Sequence, residues 1–252
     1  SGSQKASYYA SLGITLDPGW ERETHSRDYF FTLNATFKPL KHWSLGIGVN
    51  ASYGQYHGGN DFTALGQAKT LSRTLDPNTY YRYKYTPYNV KNELKQNYRD
   101  DDDINLRFQA SLAWNPIRQF RASLVASLQV QSAEYEFTRT EYSNVAQRFR
   151  AMDKRIIRNN NPYLYKPAED VYALPRVVMP SGGYRTVQDD LSRRVDLMAR
   201  ATYSDSFDAG KHIVTATVGS DLYDQMQRNG WHNEYGVNFE LGRVQTYDRL
   251  IF

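Results

Sequence analysis

The stretch His42-Trp43-Ser44-Leu45-Gly46-Ile47-Gly48-Val49-Asn50-Ala51-Ser52-Tyr53-Gly54 decides the fold. Trp43, Leu45, Ile47, Val49, Ala51 and Tyr53 fall on one side of an extended chain, and Ser44, Gly46, Gly48, Asn50, Ser52 and Gly54 on the other. A strict period of two is the signature of a strand with one apolar face. Ten steps at about 3.3 Å span roughly 33 Å. Tilted by about 35–45°, that length matches the roughly 25 Å apolar band of an outer-membrane barrel. The polar face is small and uncharged, and an aromatic residue stands at each end of the apolar face.

The same alternation recurs along the chain. Apolar faces are expected at Tyr8–Leu16, Tyr29–Phe37, Ile104–Trp114, Phe120–Val130, Val195–Tyr203 and Val214–Leu222, with a last candidate at Tyr235, Val237, Phe239 and Leu241. The sequence therefore predicts an all-β chain of about eight antiparallel transmembrane barrel strands. Short links at 38–41, 115–119 and 204–211 alternate with long ones at about 17–27, 55–103, 131–193 and 223–234. Outer-membrane barrels have this asymmetry, with short periplasmic turns and long extracellular loops. A compact soluble domain rarely holds two structureless loops of about 50–60 residues.

Loop polarity then sorts the side chains. Phe37, Trp43, Trp114, Phe120 and Tyr203 form an expected periplasmic girdle on the lipid-facing side, and Tyr29 and Tyr53 an outer one. The lumen-facing set is Asn34, Asn50, Asn105, Arg107, Gln109, Arg121, Gln129, Arg194, Asp196 and Arg200. An arginine facing lipid at mid-depth would cost about 2–4 kcal/mol, which puts these arginines inside.

Composition agrees. The chain has 252 residues with 21 Tyr, 11 Phe and 4 Trp, and aromatic residues with a polar tip collect at membrane interfaces. Mean hydropathy is −0.71, with no apolar run long enough for a membrane helix. There is no Cys, which removes disulfides and thiolate metal sites. The net charge of +4 is spread out, without a basic tract for nucleic acid.

Other motifs carry less chemistry. Asp100-Asp101-Asp102-Asp103 lacks the ligand spacing of a calcium loop and reads as a solvated loop end. The five histidines are scattered, and Ser181-Gly182-Gly183 lacks phosphate-loop spacing. No nucleophile, base and orienting group can be assembled, so the expectation is a non-enzyme without metal or cofactor. Tyr81, Tyr83, Tyr85, Tyr88, Tyr163 and Tyr165, in two tyrosine-rich loops, are candidate contacts for a ligand or partner.

The opening Ser1-Gly2-Ser3-Gln4-Lys5-Ala6-Ser7-Tyr8-Tyr9-Ala10-Ser11-Leu12-Gly13 resembles the start of a barrel segment in SusC/RagA-type TonB-dependent transporters of the Bacteroidetes. In that family a Gly-rich turn precedes a Tyr-x-x-Ser-Leu-Gly strand, and strands like His42–Gly46 and Arg193–Gly219 follow. The resemblance implies a barrel of about 22 strands plugged by an N-terminal domain. It implies uptake of oligosaccharides or peptides with a SusD-like surface lipoprotein, energised through TonB. Residues 1–252 would then be a barrel segment lacking the plug, the TonB box and the remaining strands. Two alternatives stand beside it: a complete eight-stranded barrel acting as an anchor or adhesin, and a soluble glycan-binding β-domain.

Overall fold

The computed structural model describes residues 5–60, 63–170, 172–207 and 211–244. The chain folds in the order β1 (Ala6–Asp17), β2 (His25–Leu40), β3 (Trp43–Gly59), α1 (Ala64–Thr70), β4 (Tyr81–Tyr83), β5 (Thr86–Tyr88), α2 (Val90–Gln96) and β6 (Asn97–Ile117). There follow β7 (Phe120–Arg139), α3 (Asn144–Arg148), α4 (Arg155–Asn160), β8 (Leu164–Tyr165), β9 (Arg176–Val177), β10 (Gly183–Phe207), β11 (His212–Asn238) and β12 (Arg243–Val244).

Eight strands form one antiparallel meander, β1-β2-β3-β6-β7-β10-β11-β12, while β4-β5 and β8-β9 are small hairpins within the long connections. Among the described residues nothing pairs β1 with β11 or β12, so the sheet is open. It is a piece of barrel wall. The apolar face is not packed on a core. Leu12, Leu16 and Val218 are 67–75% exposed, and the buried apolar side chains sit mostly in the long connections.

The cross-strand register reveals the strand tilt. The top of the apolar face, counted as the last apolar residue before a polar one, is Leu16, Tyr29, Tyr53, Ile104, Val130, Val195 and Leu222 on successive long strands. The bottom is Tyr8, Phe37, Trp43, Trp114, Phe120, Tyr203 and Val214. One row of paired residues runs Tyr8–Ala35–Ile47–Ala110–Ala126–Leu197–Leu222. It therefore enters at the bottom of the band on β1 and leaves at the top on β11. The band slides about eight residues, or roughly 26 Å, while crossing roughly 29 Å of sheet. That corresponds to strands tilted by about 40°, within the range that closes a membrane barrel.

Several expected boundaries are corrected. The connections at the long-loop end are 18–24, 60–96, 140–182 and 239–242, all shorter than the sequence suggests. No loop occupies 223–234, because β11 runs without a break through Asn238. Tyr235 and Val237 end that strand, Phe239 and Leu241 lie in the following turn, and the eighth strand is the two-residue β12. Beyond the apolar band both faces are polar, so hydrophobic alternation vanishes while the backbone ladder continues.

The acidic run Asp100–Asp103 is likewise ladder, not loop, paired with His57, Tyr56, Gln55 and Gly54 of β3. Alternate carboxylates point to opposite faces and most find partners. Asp100 meets His57 Nδ1 at 2.5 Å, Asp101 meets Arg99 Nε at 2.5 Å, and Asp102 accepts from Tyr53 Oη at 2.7 Å.

Candidate functional site

The polar face forms a wall of side chains at the same register. One row is Asn50–Arg107–Gln129–Arg194–Gln225, and the next toward the long loops is Ser52–Asn105–Gln131–Ser192–Gln227. Two rows further up stands Tyr56–Asp101–Tyr135–Gln188–Trp231, three aromatic rings on one level. All ten polar residues expected from the sequence lie on this face. The seven expected girdle aromatics lie on the other, where Tyr29 stacks on Tyr53 at 6.1 Å and Trp43 on Trp114 at 5.8 Å. Phe120 meets Trp114 edge-on at 6.1 Å.

Side chains on the wall hold one another in place. Arg194 Nε donates to Asp196 at 2.8 Å while its guanidinium covers the Tyr223 ring at 5.2 Å. Ser127 donates to Asp196 at 3.2 Å, and Gln129 to Asn105 at 3.3 Å. Arg200 reaches Asp221 at 4.0 Å. Arg107 and Arg121 make no ion pair among the described residues. The wall thus offers amide donors and acceptors, aromatic faces and uncommitted guanidinium groups, which suits polar polymers rich in carbonyls and hydroxyls. Among the described residues no three His, Asp or Glu side chains converge as a metal site.

Trp231, Tyr56, Tyr135, Gln131, Gln225 and Gln227 are absent from the sequence-derived set, because 55–103, 131–193 and 223–234 read as loops. A signal was present nonetheless. From Tyr223 to Asn233, every second residue is an amide or an aromatic: Tyr223, Gln225, Gln227, Asn229, Trp231 and Asn233.

Connections 60–96 and 140–182 fold over the polar face as a cap. Met179, Ala146 and Phe149 pack against Tyr184 and Tyr235, which stack on each other at 5.7 Å on that face. The two connections are latched at Asn144. Its backbone N–H donates to Glu93 Oε1 at 2.5 Å, and its side-chain amide donates to the Thr86 hydroxyl at 2.7 Å and the Pro87 carbonyl at 3.0 Å. Thr140 N–H donates to the Gln96 carbonyl at 2.9 Å, and Asn92 to the Tyr142 carbonyl at 3.0 Å.

The expected loop tyrosines divide. Tyr88 is buried, its hydroxyl donates to Gln67 at 2.8 Å, and burial pushes its pKa up to about 12. It packs the cap and is closed to ligand. Tyr81 accepts from the Asp76 N–H at 2.9 Å. Tyr163 packs on Phe149 at 4.6 Å beneath the Arg148 guanidinium. Tyr83 and Tyr85 are exposed, and Tyr165 lines a groove of about 620 Å³ with Asn159, Asn160 and Lys166.

Glu93 is 1% exposed, and its Oε2 has no protein partner among the described residues. Burial pushes its pKa up to about 7, against the opposing N–H of Asn144. Its protonated form is thus the one the cap accommodates.

Set beside known proteins, the chain matches no family model and no curated protein. It does match solved structures. The RagAB peptide importer in its closed-closed state aligns over 96% of this chain with a TM-score of 0.68 and 18% identity. The open-open state aligns over 98% with a TM-score of 0.65, also at 18% identity. The match covers 25% of the first of those chains and 26% of the second, so this chain spans about a quarter of their length. At that identity the likeness is one of fold.

The raised Glu93 pKa sets a direction for pH. A carboxyl whose folded pKa lies above its unfolded value near 4.5 stabilises the cap fully below that value, and the contribution fades as pH rises through about 7. The loss between pH 5 and pH 8 is on the order of 3 kcal/mol. Hydrogen exchange in 83–97 and 142–150, corrected for intrinsic rates, should therefore be tenfold or more faster at pH 8 than at pH 5. Glu93→Gln keeps the acceptor for Asn144 N–H and should flatten that dependence.

Proposed function

We propose that this chain is a wall segment of a TonB-dependent outer-membrane importer that takes up oligosaccharides or peptides and catalyses no reaction. The observation that carries the reading is the match of nearly the whole open sheet to a quarter of a peptide importer. In this reading the apolar face meets lipid through Tyr29, Phe37, Trp43, Tyr53, Trp114, Phe120 and Tyr203. The polar face lines the lumen, the short turns are periplasmic, and the capped loops face outside. Plug, TonB contact and the remaining strands of a barrel of about 22 belong to other parts of the polypeptide. A SusD-like lipoprotein meets the loops at the cell surface.

The two alternatives fare worse. An eight-stranded barrel must join its first and last strands, whereas among the described residues nothing pairs β1 with β11 or β12. A soluble domain would not leave a continuous apolar band exposed across seven strands.

Residues 1–252 expressed alone and refolded in detergent should give no compact, heat-modifiable monomer. A compact heat-modifiable monomer would support the eight-stranded alternative, and a folded monomer in plain buffer would sink both membrane readings. Nitroxide depth profiling tests the tilt: labels at 104, 130, 195 and 222 in the reconstituted protein should report equal depth, despite lying in different register rows. Trp231→Ala, in the aromatic row, should weaken cargo binding in calorimetry by about tenfold, the scale of one lost aromatic platform, without altering heat modifiability.

A further inference from the structure

We propose that the polar face, at its short-turn end, carries a carboxylate-binding site built on Arg121 and Arg200. The proposal rests on the reading of this face as lumen and adds a ligand class and a place. A pocket of about 710 Å³ lies there, lined by both arginines with Arg118, His42, Ser123 and Thr202. The register sets its geometry. Arg121 pairs with Thr202, and Ser123 with Arg200, on the adjacent strands β7 and β10. The two arginines thus stand at diagonal corners, about 7–8 Å apart at the backbone, with a hydroxyl at each of the other two. Guanidinium side chains are long enough to span that diagonal, so one small oxyanion can meet both. Backbone bonds fix the rim. Asn115 N–H donates to the His42 carbonyl at 2.8 Å, and His42 Nδ1 donates to the Asn115 carbonyl at 2.8 Å. Ser204 N–H donates to the Gln119 carbonyl at 2.8 Å, which ties the turn carrying Arg118 to β10.

The wall leaves this charge largely unbalanced. Arg118 and Arg121 make no ion pair among the described residues, and Asp221 reaches Arg200 only at 4.0 Å, with both side chains more than half exposed. Asp196, the next carboxylate up the face, is engaged by Arg194 and Ser127. Asp205 lies on the opposite face, where it accepts from Tyr203 Oη at 3.1 Å. Asp208, in the β10–β11 turn, lies outside the described residues. Carboxylates of the polar face gather instead toward the long loops, at Asp17, Asp28, Asp101, Asp103 and Asp190. That polarity places an anion at the short-turn end and not higher on the wall. Two neighbouring cations repel each other, and an anion between them relieves the repulsion. Arginine suits a carboxylate in particular, because its planar fork gives two parallel N–H···O bonds. A peptide brings such a group at its end, and acidic side chains of other segments of the polypeptide bring the same one.

The complete polypeptide, reconstituted in nanodiscs, would be titrated calorimetrically with acetyl-tetraalanine as the free acid and as the C-terminal amide. If the site takes a free carboxylate, the acid should bind about tenfold or more tighter than the amide. Arg121→Gln together with Arg200→Gln should then bring the ratio close to one. If a carboxylate of the same polypeptide already fills the site, the two peptides bind alike. Carbodiimide treatment of an Arg121→Lys variant should then cross-link position 121 to an Asp or Glu outside residues 1–252, and Arg200→Lys serves the same end if the first variant does not insert. Either result supports the site. A preference that survives the double substitution overturns it, as does a cross-link only to Asp208 or Asp221. Should the double variant not insert, raising salt to about 1 M on the native protein must shrink the preference, and a salt-independent preference overturns the site. Insertion into the bilayer with neither preference nor cross-link rejects only the site, whereas failure to insert rejects the membrane reading and the site with it.

Discussion

The unbroken antiparallel ladder from β1 to β11 is the constraint on which the rest depends. In hydrocarbon every unpaired backbone group costs several kcal/mol, so a sheet there must pair each strand on both sides. Among the described residues, five of the seven long strands are paired along both edges across the apolar band, while β1 and β11 are paired there along one edge each. Helix-forming sequence is confined to the connections, where α1 to α4 run only five to seven residues. The exposure of the apolar face follows from the same source. Its side chains have no core to meet because the ladder, and not a packed interior, is what holds the sheet.

Tilt turns the ladder into a staircase. Because the apolar band slides through the register by about 1.3 residues per strand, the strands project unequally past it. β1 ends one residue beyond Leu16, whereas β10 continues about twelve beyond Val195 and β11 about sixteen beyond Leu222. At about 2.5 Å of axial rise per residue, the β10–β11 hairpin rises roughly 30 Å or more above the band. That height lets connection 140–182 reach the Tyr184–Tyr235 stack and fold inward. Above the band the hairpin is held by charge: Arg185 bonds to both Glu136 on β7 and Glu234 on β11, and the bond from Arg185 draws the Glu234 carboxyl below its usual range.

This staircase also explains what was legible in the sequence. In the proposed membrane setting, water is excluded on one face of the band and admitted on the other, so residues such as Leu45 and Gly46 differ, and alternation exposes the strand. The ten polar residues read from that alternation share one face of the ladder, and the seven aromatics share the other. Past the band that demand ends. His57, Asp100 and Glu136 share one row without an apolar residue among them, and only the ladder marks them as strand. Long loops and tall hairpins therefore look alike until pairing is known. The Asn144–Glu93 latch was illegible for a different reason, since it joins residues 51 positions apart through contacts that no periodicity encodes.

The cap and the wall divide the chemistry between them. Polar groups in the cap are spent on one another: Asn144, Thr86, Gln96 and Asn161 each bond to backbone across or within the connections, and Tyr88 is sealed beneath them. On the wall, amides are spaced by the strand repeat and only partly engaged, with Arg107 and Arg121 unpaired among the described residues. A surface built to close on itself turns its polar groups toward one another, as the cap does around Asn144. A surface built to hold something else leaves them regularly spaced and open, and that describes the face from Asn50 across to Gln225.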